Sequence, residues 1–169
     1  KAFFKKFKPN EYDDVKMLYL WNSGPGVFMT TKPISTIEAL KGLKLRAAGN
    51  QAKIASAMGV TPVSVPIGDI YEGLQRNVIE GVLFYPESLK SYRFGDFIRG
   101  LQDNPGINWA GTGFHVMNKA KWNALPPDIQ KIFEEVTEEW AEKHAKIWVE
   151  TDKEGRDFAI SKGMKVFKI

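Results

Sequence analysis

Between residues 41 and 86, short apolar runs alternate with helix-sized segments, and that alternation confines the chain to an α/β fold. The stretch reads KGLKLRAAGNQAKIASAMGVTPVSVPIGDIYEGLQRNVIEGVLFYP. Residues 43–47, 62–65 and 78–84 have strand character, and residues 51–58 and 70–75 between them have helical character. Strands separated by helices of this size predict a parallel sheet built from βαβ units. Arg46 falls at the carboxyl end of the first strand, and open α/β sheets bind ligands in the crevice outside those ends. The small residues Ala47, Ala48 and Gly49 that follow leave room beside it. Arg46 is therefore the first candidate for contact with a ligand, and with an anionic one.

A length of 169 residues corresponds to one domain, or to one domain and part of another. A content of 43% hydrophobic and 12% aromatic residues supports a core and argues against disorder. The net charge of +4 could point to nucleic acid, but 24 basic residues are matched by 20 acidic ones with both signs interspersed. That pattern is a solvated surface rather than a polyanion-binding stripe. The absence of cysteine removes disulfides, thiol catalysis and zinc–thiolate sites, and fits a cytosolic or an exported protein alike. No apolar run approaches the roughly 20 residues of a membrane span. The opening KAFFKKFKPNEY has no apolar core of a signal peptide and reads as the end of an amphipathic helix.

Outside the central stretch, residues 14–21 (DVKMLYLW) read as a buried strand, ending in the turn cluster Asn22-Ser23-Gly24-Pro25-Gly26. Residues 27–31 form another strand. Ser35 or Thr36 then caps a short helix over 37–40, closed by Gly42. Residues 87–97 have helical character, Asp103-Asn104-Pro105-Gly106 is a turn, and 107–118 read as a glycine-interrupted strand. Asn118 is placed to cap a short helix containing Trp122. The Pro126-Pro127-Asp128 sequence starts the longest helix. Its apolar stripe of Ile129, Ile132, Phe133, Val136, Trp140, Ile147 and Trp148 lets it run to Lys162, before Gly163. Such a helix would be ~54 Å long, so it must either kink or brace two lobes. Residues 165–169 begin a final strand.

Catalytic chemistry is sparse. His115 and His144 lack metal-ligand spacing and read as surface or satisfied structural histidines. The acidic pairs Glu134-Glu135 and Glu138-Glu139 follow the polar face of the long helix. Neither a G-x-S-x-G elbow nor a Walker or dinucleotide glycine pattern occurs, and no metal or cofactor site is expected. Binding chemistry is better represented. A guanidinium offers a planar fork that matches a carboxylate, although position alone leaves Arg46 equally open to a surface role or an internal ion pair. Phe84 and Tyr85 end the third strand before Pro86, and Trp21 and Trp109 lie beside turns. A cationic fork within aromatic walls describes a pocket for a small organic acid.

Several motifs, in order and spacing, resemble the DctP-type solute-binding proteins of TRAP transporters. They are Lys32-Pro33-Ile34 with the following LKGLKLR up to Arg46, MGVTPV at 58–63, DIYEGLQ at 69–75, Ile79-Glu80-Gly81, and Asn118 with LPPDIQ at 125–130. The resemblance implies a two-lobed periplasmic-binding-protein-like α/β fold with a long helix bridging the lobes. Residues 1–45 would then be the end of lobe 1 and a crossover, and 46–107 the ligand-binding α/β unit of lobe 2. Residues 108–169 would supply a return strand, the bridging helix and the start of a final strand. The chain would be an interior fragment of a longer protein. The same resemblance implies that Arg46 forms the salt bridge to the ligand carboxylate. Phe84 and Tyr85 stand where the family often has an asparagine, and Trp21, Trp109, Gly49 and Ile67 complete the expected ligand contacts. No second arginine stands near Gly26 and Val27, which disfavours sialic acid and favours a smaller or more apolar monocarboxylate. The implied function is a periplasmic, non-enzymatic receptor that uses no cofactor, binds no nucleic acid, and hands its acid to TRAP membrane subunits. The alternatives are a sensor domain of the same fold and an enzyme on this scaffold.

Overall fold

A computed structural model describes residues 6–7, 9–104 and 109–168. In chain order the elements are β1 (Val15–Asn22), β2 (Val27–Thr30), β3 (Lys44–Arg46), α1 (Asn50–Ala57), β4 (Thr61–Val63), α2 (Ile70–Gln75), β5 (Gly81–Phe84), α3 (Ser88–Ser91), β6 (Gly100–Gln102), β7 (Thr112–Asn118), α4 (Lys119–Asn123), α5 (Pro127–Ser161) and β8 (Lys165–Phe167). They gather into two compact units. One comprises Lys1–Ser23 and Gly111–Ile147; the other comprises Gly24–Ala110 and Trp148–Ile169. The α/β class expected from the alternation, and a long helix contributing to both units, are present.

The first unit holds a two-stranded antiparallel sheet of β1 and β7, interrupted by a bulge between Met17 and Tyr19. Its β1 was expected to be a buried strand, yet every residue from Val15 to Trp21 is only half-buried. One neighbouring strand cannot cover both faces of a ribbon, so a dense apolar run does not by itself make a buried strand. Asn118 caps α4 as expected, its Oδ1 accepting from the Lys121 N–H at 3.1 Å. The acidic residues of the helix face pair outward in Lys16–Glu134, Lys131–Glu135, Lys143–Glu139 and Lys146–Glu142.

The second unit is a six-stranded sheet in the order β4-β3-β5-β2-β6-β8. The three strands of the 41–86 stretch pair in parallel as expected, but the sheet they belong to is mixed. β3 runs parallel to β4 and β5, and β6 parallel to β8, but β2 lies antiparallel to both β5 and β6. β2 and β5 are buried along their whole length because both sheet faces are covered. Alternation sends Phe28, Leu45 and Leu83 into one core with Leu40, Ala55 and Val60. Val27, Met29, Val82 and Phe84 enter the other core with Ile70, Leu74, Leu89, Phe94, Ile98 and Ala159.

Several local expectations shift. The helix over 87–97 breaks after Ser91, because Arg93 adopts a left-handed φ of 59°, and the chain continues as a 3-10 turn over Phe94–Asp96. The helix over 37–40 is likewise a 3-10 turn, with Thr36 rather than Ser35 accepting from the Ala39 N–H. β6 had no periodic signal. The strand expected over 107–118 is regular only from Thr112, and Trp109 makes an isolated bridge to Gly26. Pro105, Gly106 and residues 107–108 of that reading, most of the opening segment 1–8, and Ile169 lie outside the described residues.

Candidate ligand-binding site

The pairing of β3 with β5 matches Arg46 to Val82 and brings the ends of the two strands side by side. Since Leu45 points into the opposite core, alternation turns Arg46 to the same face as Val82 and Phe84. The result is an arginine residue that is only 6% exposed, with its guanidinium carbon 5.2 Å from the centre of the Phe84 ring. Its Nε donates to the Val65 carbonyl at 3.3 Å, and Nη1 donates to Gln51 Oε1 at 3.2 Å. Among the described residues, no carboxylate lies within ion-pair distance of it. Burial accordingly lowers its pKa from the ordinary arginine value, yet an arginine stays cationic in any protein environment. A buried cation without an anion is an expensive arrangement, and it marks a place where an anion is stabilised.

Gln51 holds this fork in place. It is buried in the first turn of α1, and its Oε1 accepts from Arg46 Nη1 and from the Ala48 N–H at 3.4 Å. The approach to α1 depends on Gly49, whose φ of 57° and ψ of −128° suit only glycine; a Cβ there would meet no atom within 4 Å. Space is thus open at Gly49 itself. Ile67 is 40% exposed, in a 3-10 turn two residues beyond the Val65 carbonyl that anchors Arg46.

Aromatic residues build the wall. Phe84 contacts Tyr85 with ring centres 5.2 Å apart, and Tyr85 lies 5.1 Å from Trp109 and 5.3 Å, edge-on, from Trp148. Trp109 stands against Gly26, where a Cβ would come within 2.2 Å of the indole nitrogen. Arg46, Phe84, Tyr85 and Trp109 are therefore brought together within one unit. Trp21 belongs to the other unit, where it stacks on His144 at 4.8 Å and lies over Gly113.

Three contributors escaped the sequence reading. Gln51 sits in a weakly amphipathic helix, where nothing separates it from an exposed glutamine. Trp148 was read only as part of an apolar stripe. Asp152, buried on α5, accepts from the Glu87 N–H at 3.0 Å through Oδ1. The signal that could have found the last two is one helix face carrying Trp148, Asp152, Gly155 and Ala159, where two small residues follow a tryptophan and an acid.

Comparison with known proteins places this geometry in a family. Residues 3–169 match the model of the bacterial extracellular solute-binding proteins, family 7 (DctP). A TRAP periplasmic solute-binding protein from Desulfovibrio salexigens is 31% identical with a TM-score of 0.83, over 99% of this chain and 52% of that one. One from Bordetella bronchiseptica, solved with bound (R)- and (S)-mandelate, is 28% identical with a TM-score of 0.85, over 99% of this chain and 55% of that one. One from Rhodoferax ferrireducens, solved with copurified benzoate, is 28% identical with a TM-score of 0.83, over 99% of this chain and 54% of that one. The chain spans about half the length of the curated relatives it matches, 46% and 48% in two of them. With a match over almost its whole length, the chain belongs to the bacterial extracellular solute-binding proteins of family 7, the DctP family.

Proposed function

We propose that this chain forms part of a periplasmic receptor that captures a small organic monocarboxylate and delivers it to a TRAP-type membrane transporter. The observation that carries the reading is Arg46: a buried guanidinium, anchored on two sides, with no carboxylate partner among the described residues. The acid's carboxylate docks on the part of the fork that Val65 and Gln51 leave free, forming charge-assisted hydrogen bonds in a poorly solvated setting. Phe84 and Tyr85, with Trp109 behind Tyr85, receive the apolar part of the acid. The mandelate and benzoate held by two relatives, each a monocarboxylate that carries a phenyl ring, are in keeping with such walls. In this reading the ligand-binding lobe is built on residues 46–107, and Gly49 and Ile67 complete the lining.

The test is calorimetric titration of the full-length protein with benzoate and mandelate. Arg46→Ala is expected to weaken binding by about thirtyfold or more, in line with the roughly 2–5 kcal/mol lost when one partner of a buried charge pair is removed. The thermal midpoint of the ligand-free protein should not fall, because the variant also removes an unpaired buried charge. Unchanged affinity in Arg46→Ala would overturn the assignment.

A further inference from the structure

The turn that carries Tyr85 is gripped by a single face of α5. Trp148, Asp152, Gly155 and Ala159 stand at helical positions i, i+4, i+7 and i+11, so they share that face. Trp148 meets the Tyr85 ring edge-on at 5.3 Å. Asp152, 8% exposed, accepts from the Glu87 N–H at 3.0 Å. Gly155 lets the helix backbone approach the Pro86 carbonyl, which a Cβ would meet at 2.1 Å. The other oxygen of Asp152 lies over Gly24, where a Cβ would come within 1.7 Å of Oδ2. One carboxylate thus binds the backbone just after Tyr85 and closes over the glycine two residues before Gly26, against which Trp109 rests.

We infer that Asp152 is a positioning residue for ligand specificity: by fixing the Tyr85-Pro86-Glu87 turn, it sets where the Tyr85 wall stands relative to Arg46. This rests on the reading of Arg46 and Tyr85 as ligand contacts. A carboxylate buried at this position is retained at a desolvation cost, and burial raises its pKa, opposed by the Glu87 N–H and by Arg156. An apolar residue would avoid that cost but would leave the Glu87 N–H without an acceptor. Asparagine keeps an acceptor of the same shape, which separates acceptance of the hydrogen bond from charge.

The experiment compares full-length wild type, Asp152→Ala and Asp152→Asn. It uses amide hydrogen exchange of the ligand-free protein and titrations with benzoate and acetate, acetate carrying a methyl group in place of the ring. In Asp152→Ala, exchange at the Glu87 amide should rise at least tenfold and benzoate affinity should fall at least fivefold, with acetate affinity unchanged. Asp152→Asn should stay within about twofold of wild type in all three readouts. Equal loss of both acids in Asp152→Ala, faster Glu87 exchange with unaltered benzoate affinity, or Asp152→Asn behaving like Asp152→Ala would each overturn the proposal. If wild type binds neither acid, the receptor reading fails; the exchange result then still decides whether Asp152 fixes the turn.

Discussion

Among the described residues, the Arg46 guanidinium is hydrogen-bonded by neutral groups, a backbone carbonyl and a glutamine oxygen. Such partners orient a guanidinium without cancelling its charge, so the full cation remains for an incoming anion. An internal aspartate in the position of Gln51 would satisfy the fork and weaken it as a receptor. The place of the arginine at a strand end was legible from sequence because it belongs to the residue itself. Its anchor was not, since burial of Gln51 depends on how α1 settles after Gly49. That glycine yields a prediction at the same scale. Gly49→Ala adds a methyl group in open space, so its whole cost is conformational, about 1–3 kcal/mol. Urea denaturation should show the loss, whereas an unchanged midpoint would mean that the loop can adopt an ordinary conformation.

Among the elements, α5 was read from its pattern to within one residue at its end, Ser161 against Lys162, because a proline start, an apolar stripe and a stopping glycine all report locally. The sheet was less legible. Four-residue strands buried on both faces carry no mark of direction, so β2 gave no sign that it runs against β5. The small residues of α5 were equally silent, since a glycine in a helix usually signals only lower propensity. In the folded unit, Gly155 is instead where the helix meets the β5 turn. Gly155→Ala should improve helix propensity yet destabilise the protein by about 1–3 kcal/mol through overpacking. A raised thermal midpoint in that variant would show that the contact yields cheaply.

For the molecule as a whole, pH acts on the unit that holds β1 and β7. His144 stacks on Trp21 and lies 3.3 Å from the Tyr19 hydroxyl, while His115 stacks on Tyr19 at 4.4 Å. Burial first, and His115 second, lower the His144 pKa from the ordinary imidazole value of 6.5. The unfolded chain therefore takes up this proton at a higher pH than the folded one. The associated stability is complete above about 6.5 and is lost as pH falls through the lower folded value. Denaturation followed by tryptophan fluorescence should show a smaller midpoint at pH 5.5 than at 7.5, and His144→Gln should reduce the difference; an identical difference in both proteins would rule out His144 as the source. The arrangement of β3 beside β5 has a different consequence, one for descent with modification. The charge comes from residue 46 and the wall from residues 84 and 85, each with its own anchor, on Gln51 and on Asp152. In the proposed reading, mutation can therefore recast the wall without disturbing the charge, so one lineage can exchange one acid for another in small steps.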